Sequence, residues 1–388
     1  MNYKHFYQRF LQANLGKQHF ACHSHYYWPD VTRDAMLDYW DDSARYVDEK
    51  WQYFFQHKVP ALQQHISRHL NTGLPEQIVF APNTHELLYR ILTCFESDKP
   101  LRILTSDSEF HSFTRQSQRL AEAGKIELTK IPTQPFADFS QRFIQAADAG
   151  NYDLVFVSQV FYNSGVVFDG VVELVSRLRE TNTLIVIDGY HGFMAMPIDL
   201  SAIADRVFFL AGGYKYAQGG EGGCFAHVPT YRNWRPEFTG WYAEFGALQA
   251  ARAEQVQYAS NGMSLAGATM DFAPLYRMLA VMDLFQQQQL SVQQIHQHIQ
   301  QLQQAFLQAL ARHPHPLLNA ARLLKNGDNP HGHFLTFELD SPEQTAKLAA
   351  FLREQHILTD YRGNRLRFGF ALYHDPSDYD FSCLEKDL

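Results

Sequence analysis

The chain has 388 residues, 46% of them apolar and 19% charged; this supports a full core in two or three domains and excludes both a disordered chain and a small stapled scaffold. Lys and Arg number 33 against 41 Asp and Glu, for a formal charge of −8. Without a cationic excess to meet a phosphate backbone, nucleic acid is not an expected partner.

The opening MNYKHFYQRF lacks an apolar leader core, and the longest buried-looking runs, residues 154–157 and 184–187, are too short to cross a bilayer. A cytoplasmic protein with no membrane contact is the expectation. Cys22, Cys94, Cys224 and Cys383 lie far apart with no CxxC pair, so they are read as reduced thiols. Residues 1–70 form an N-terminal segment, helical and rich in Tyr, Trp and His. Within it His65 and His69 stand at i, i+4 and are assigned to the exposed side of a helix over 59–70. No acidic third ligand accompanies them or the other His pairs, so no metal is expected.

From 71 to 272 short apolar runs alternate with helical patterns, which predicts a large α/β domain. Strands are predicted at 78–81, 102–105, 126–131, 154–158, 184–188, 207–210 and 224–228, with helices at 85–95, 113–123, 137–147 and 171–180. Near-continuous apolar strands separated by helices give a mostly parallel seven-stranded sheet between helical layers. The last two strands are joined by a glycine loop without a helix, so one antiparallel strand is expected. Residues 273–388 predict a small α+β domain. Its glutamine-rich stretch conceals apolar residues Ile295, Ile299, Leu302, Phe306 and Leu310 at helical spacing behind a Ser291/Gln294 capping box, with the glutamines on a solvated face. A strand at 333–339, a helix at 342–355 and strands at 357–360 and 366–370 follow.

The chain contains no G-x-G-x-x-G before a helix, no P-loop and no G-x-S-x-G, which removes the usual dinucleotide, nucleotide and serine-hydrolase signatures. An open α/β sheet still binds its ligand at the carboxyl edge. Two residues stand there: Asp188 ends the run 184–187, and Lys215 follows strand 207–210 within Gly212-Gly213-Tyr214-Lys215-Tyr216. A carboxylate at a buried strand end needs a cationic partner, and a protonated ring nitrogen serves. A lysine among aromatics and glycines loses hydration, so its neutral amine can form a Schiff base. Together they describe a site for pyridoxal 5'-phosphate, in which Asp188 keeps the pyridine nitrogen protonated and Lys215 holds the aldehyde.

Ile187-Asp188-Gly189-Tyr190-His191 and Gly213-Tyr214-Lys215-Tyr216 resemble the D-x-x-H and lysine motifs of the class V aminotransferase superfamily of fold type I, and among its members the kynureninases. The resemblance runs from about residue 78 to 373. It implies pyridoxal 5'-phosphate as cofactor and a homodimer with the active site at the subunit interface. It also implies a reaction through an external aldimine with an amino acid substrate, in which a side-chain bond is cleaved. Carried over by position, it assigns Asn83, Thr84, Tyr214 and Trp241 to the phosphate region. Phe110 matches the residue that stacks on the ring, and His191 and Ser164 match cofactor contacts. Thr269 matches a residue reaching the partner subunit's phosphate, and Arg367 the clamp on the substrate carboxylate, with Arg362 and Arg365 as substitutes. Kynureninases carry an acidic residue where this chain has Phe113, a G-W-W-G-H segment where it has Gly240-Trp241-Tyr242-Ala243-Glu244, and N-P-P where it has Gly267-Ala268-Thr269-Met270. Amino transfer is the alternative reaction, and a non-catalytic cofactor-binding regulator a further one. A cysteine desulfurase is disfavoured because Cys383 stands too near the terminus to be its loop nucleophile.

Overall fold

The computed structural model describes residues 2–95, 99–247, 254–325, 327 and 331–386. First come α1 (Gln8–Ala13), β1 (Gln18–His19), α2 (Val31–Tyr46), α3 (Lys50–Tyr53) and α4 (Val59–Leu70). The α/β part contains β2 (Ile78–Ala81), α5 (Thr84–Leu92), β3 (Leu101–Ser106), α6 (His111–Glu122), β4 (Ile126–Ile131), α7 (Phe139–Ala149), β5 (Leu154–Ser158), α8 (Val171–Arg177), β6 (Leu184–Asp188), β7 (Val207–Gly212) and β8 (Cys224–His227). Then follow α9 (Ala273–Gln287), α10 (Val292–Ala311), β9 (Phe334–Glu338), α11 (Pro342–Glu354), β10 (Ile357–Leu358), β11 (Asp360–Arg362) and β12 (Arg365–Gly369).

The large sheet has seven strands in the order β2-β8-β7-β6-β5-β3-β4. Strand β8 runs antiparallel to both neighbours and the other pairings are parallel. Every residue of β5 and β7 is buried, as apolar strands covered on both faces must be. A parallel strand needs a long crossover to return, whereas the glycine loop lets β8 turn straight back. A second sheet joins β11, β12 and β9, all antiparallel.

Three expectations are corrected. The stretch 357–360 is not one strand: β10 pairs in parallel with β1, and after Thr359 the chain enters β11, a hairpin partner of β12 across Gly363 at φ +56°. Secondly, His65 is not on an exposed helix face. α9 covers that side of α4, so His65 is buried with Nε2 2.8 Å from Asp283 Oδ1, and His69 is half-buried beside it. Thirdly, α10 begins at its expected capping box, but its glutamines do not all face water. Gln303 is buried and donates to the Gly332 carbonyl at 2.8 Å, satisfying a polar group the packing would otherwise strand.

The N-terminal segment is built into the rest of the molecule. β1 extends β10, α2 packs on α9, and Tyr7 Oη donates to Gln218 Oε1 at 2.5 Å in the glycine loop. No helix among the described residues is long and apolar enough to span a membrane, and no group of His, Cys, Asp and Glu among them could hold a metal ion.

Candidate active site

Parallel strands deliver their carboxyl ends to one edge, and the chemistry-bearing residues collect there. After β2 the chain reaches Asn83, whose Oδ1 accepts the Glu86 N–H at 2.9 Å and caps α5, with Thr84 as the first helical residue. β3 leads to Glu109 and Phe110, β5 ends at Ser158 and β6 ends at Asp188, which accepts the Tyr190 N–H at 3.0 Å. The loop after β7 carries Tyr214 and Lys215. β8 runs the other way, so its first residue, Cys224, arrives at the same edge. These ends enclose a cavity of about 260 Å³ lined by Asn83, Thr84, Phe110, Asp188, His191, Tyr214 and Lys215, all singled out from the sequence.

The Lys215 loop is held from three sides. Arg277 of α9 donates to the Gly219 and Glu221 carbonyls at 2.6 and 2.7 Å, Gly213 N–H donates to Gly223 O at 2.7 Å, and Tyr7 holds Gln218. Gly220 and Gly222 take φ of +72° and +91°, and a Cβ on Gly220 would lie 2.5 Å from the Trp28 ring. Lys215 Nζ contacts His191 Nε2 and lies 5.6 and 5.7 Å from the Phe110 and Tyr190 ring centres. Burial, with Arg367 adding repulsion, lowers the Lys215 pKa to about 7, although Asp188 and Asp360 oppose the shift. Burial, reinforced by Lys215 and Arg367, pushes His191 well below the usual imidazole range. Burial raises Asp188, against the Tyr190 N–H and the Lys215 charge.

Four singled-out residues lie outside this lining. Ser164 is fully buried in the turn after β5, where its Oγ accepts the Val166 N–H at 3.2 Å. Trp241 and Thr269 meet each other, Trp241 Nε1 donating to Thr269 Oγ1 at 3.0 Å. Arg367 sits behind the cavity wall, donating from Nη1 to the Tyr162 carbonyl at 2.5 Å and from Nη2 to Asp360 Oδ2 at 2.5 Å. Of its substitutes, Arg365 is taken up by Glu338 at 3.2 Å and Arg362 by Asp360 at 2.9 Å.

The sequence reading missed Glu109. This carboxyl group is 3% exposed. Oε1 accepts Ser106 Oγ at 2.5 Å, and Oε2 accepts Ser158 Oγ at 2.5 Å and Ser158 N–H at 3.1 Å. It therefore fixes the Phe110 turn against the end of β5, and Ser158 is in register with Asp188 across β5 and β6. No local signal marked it, since an acid directly before an aromatic reads as an exposed turn. Phe113, on the first turn of α6, stacks on Phe156 with ring centres 3.8 Å apart.

Burial raises the Glu109 pKa to about 7, the two serines opposing and Asp188 reinforcing the shift. A folded pKa above the unfolded 4.5 means that stability from this group is complete below pH 4.5 and is lost as pH rises through 7. Glu109→Gln, which is always neutral, is therefore expected to gain on the wild type between pH 5 and 8, by up to about 3 kcal/mol. Denaturant melts at the two pH values check this; a difference independent of pH would show a carboxylate charged throughout.

The class V aminotransferase family model matches residues 29–365. No curated protein sequence matches the chain. Among solved structures, C-DES with glycine covalently linked to its PLP cofactor has a TM-score of 0.82 at 18% identity over 97% of both chains. The cystine C-S lyase C-DES with its product cysteine persulfide has a TM-score of 0.80 at 19% identity, covering 95% of this chain and 96% of that one. The apo cysteine desulfurase of Thermococcus onnurineus NA1 follows at 0.74 and 17% identity, covering 96% and 92%. At these identities the structural likeness establishes the fold, which agrees with the α/β architecture of the seven-stranded sheet. With the family model covering most of its length, the chain belongs to the class V aminotransferase family.

Proposed function

We propose that this chain is an enzyme that binds pyridoxal 5'-phosphate at the carboxyl edge of the sheet and cleaves a side-chain bond of an amino acid. The observation that carries this reading is the Lys215 amine, in contact with His191 in a cavity that also presents Asp188 and the start of α5. The residues fit the group. The free N–H groups at the amino end of α5, with Thr84 and Asn83, suit a phosphate. Asp188 is a half-buried carboxyl with no ion pair among the described residues, the partner a ring N–H requires. Phe110, still 41% exposed, offers an uncovered ring face at the cavity wall. When bound, the cofactor supplies an aldehyde and an electron-withdrawing pyridinium ring that stabilises negative charge at the substrate α-carbon.

The protein's own part is positioning and proton handling. Lys215 Nζ, about half neutral near pH 7, can attack an aldehyde and can accept the substrate α-proton. His191, kept neutral, accepts from Lys215 Nζ through Nε2 and aims the amine. Asp188 holds a proton on the ring nitrogen. Arg367, behind the Tyr162 wall with its Nε still without a partner among the described residues, is assigned to the substrate carboxylate. The Trp241–Thr269 pair, away from this chain's cavity, is assigned to the phosphate of a second copy in a homodimer. The reduced cysteines suit a cytoplasmic setting.

Side-chain cleavage of the kynureninase kind is the leading reaction, and the family description keeps amino transfer as the second. Sulfur transfer to a cavity thiolate is disfavoured. Cys224 is the one cysteine lining the cavity among the described residues, and burial pushes its thiol up to about 11. Kynurenine, cystine and other amino acids should be incubated with the protein: a released side-chain fragment identifies cleavage, and accumulation of the pyridoxamine form identifies transfer.

The protein supplied with cofactor should be yellow, and borohydride should fix the cofactor on Lys215; peptide mapping that finds this lysine unmodified overturns the assignment. Asp188→Asn should retain much of the cofactor and lose most turnover, since an amide cannot hold the ring proton. Cofactor content and kcat measured together test this, and near-normal kcat would make Asp188 a structural residue. Arg367→Lys keeps the charge and loses the fork, so amino acid affinity should fall roughly tenfold to a hundredfold, about 1.5 to 3 kcal/mol, at constant cofactor content. Unchanged affinity in an absorbance titration would remove Arg367 from the substrate site.

A further inference from the structure

The arginine assigned to the substrate carboxylate already has a carboxylate of its own. Asp360 and Arg367 face each other in the β11–β12 register, with Asp360 Oδ2 2.5 Å from Nη2. The other oxygen, Oδ1, accepts Arg362 Nη1 at 2.9 Å. Ser24 Oγ also donates to Asp360 Oδ2, and His23 Nε2 lies 3.7 Å away. Arg367 is not saturated by these contacts: its Nε has no hydrogen-bond partner among the described residues. The same holds for both ring nitrogens of His23, which is fully buried.

The surroundings fix the charge of this subsite. Arg365 is neutralised by Glu338. Burial, reinforced by Arg367, His191 and Lys215, pushes His23 well below the imidazole range, so it adds no charge. Burial would raise Asp360, but Arg367 and the Ser24 hydroxyl outweigh it and hold the carboxyl below the usual carboxylate range. What remains is two guanidiniums against one carboxylate. One incoming carboxylate brings the cluster to neutrality. A second leaves an unbalanced negative charge at a poorly hydrated place, the arrangement most costly in a protein interior.

We propose that Asp360 is a specificity-determining residue that limits this site to amino acids with a single carboxylate, by taking up one of the two positive charges at the Arg362–Arg367 pair. The inference rests on the proposed amino acid site and adds which substrates that site selects. A residue serving only to brace the β11–β12 hairpin would not discriminate between substrates that differ by one charge.

Glutamine and glutamate differ in shape very little and in charge by one, and so do asparagine and aspartate. Binding of these four is measured by titrating the cofactor absorbance of the holoenzyme, in wild type, Asp360→Asn and Arg362→Gln. The wild type should prefer the amides. Asp360→Asn, nearly isosteric and still able to accept from Ser24, should shift the acid-to-amide affinity ratio toward the acids by about tenfold or more. Arg362→Gln, a change at a half-exposed side chain, should weaken the amides by about tenfold, because Asp360 then cancels the one remaining guanidinium. A ratio unchanged within twofold in a folded, cofactor-loaded Asp360→Asn protein overturns the proposal. If that variant does not fold, unchanged amide affinity in Arg362→Gln overturns it instead. A wild type whose absorbance responds to no amino acid overturns the functional reading itself, and with it this inference; a responsive wild type whose selectivity the Asp360→Asn change leaves unaltered overturns the inference alone.

Discussion

A lysine amine surrendering its proton near neutral pH is the condition on which the site depends. Lysine in water keeps its charge to above pH 10; here burial among Phe110, Tyr190 and the glycine loop removes the hydration that stabilises the ammonium, and Arg367 behind the wall repels it further. A loop free to swing into solvent would restore that hydration. Arg277, Tyr7 and the left-handed glycines prevent this by tying the loop to α9 and to the N-terminal segment. The rigidity of the loop is therefore part of the chemistry of the amine.

The same desolvation acts on the acids at the sheet edge, with different outcomes. Glu109 is surrounded by hydroxyl and amide donors yet still rises to about 7, because complete burial costs a carboxylate more than three donors return. Asp360 is also half enclosed, but two guanidiniums and a serine hold it ionised. These two acids thus carry different charges for a physical reason, the presence or absence of a cation within bonding distance. Glu109 joins β3 to β5 as a neutral or partly charged bracket, while Asp360 stays ionised between Arg362 and Arg367.

The N-terminal segment contributes more than its helical composition announced. Tyr7 reaches the glycine loop, β1 adds to β10, and Cys22-His23-Ser24 passes beside Gly369, where any side chain on Gly369 would collide with His23. These contacts bring Ser24 to Asp360. A segment at the start of the chain closes the back of a subsite built at its end.

The sequence by itself determined most of the sheet, because an apolar strand buried on both faces has few other places to go; the edge strand β4, in which only Ile126 is buried, is the exception. It also determined that Asp188 and Lys215 share an edge, since strand ends of a parallel sheet converge whatever the loops do, and the capping box of α10, whose signal is confined to four residues. Tertiary structure alone decided the rest. His65 had a solvent face by its own helix and lost it to α9. Trp241 and Thr269 were separately matched to the phosphate region, and the fold pairs them with each other away from the cavity. Glu109 carries no local signature of burial, since a charged residue before an aromatic reads as a surface turn until Ser106 and Ser158 close over it. The three arginines near 365 could not be ranked by spacing, because what separates them is the acid each one meets: Glu338 comes from another strand, and Asp360 binds two of them at once. Charge pairing between distant segments depends on distances of a few ångströms, and a linear pattern does not contain them.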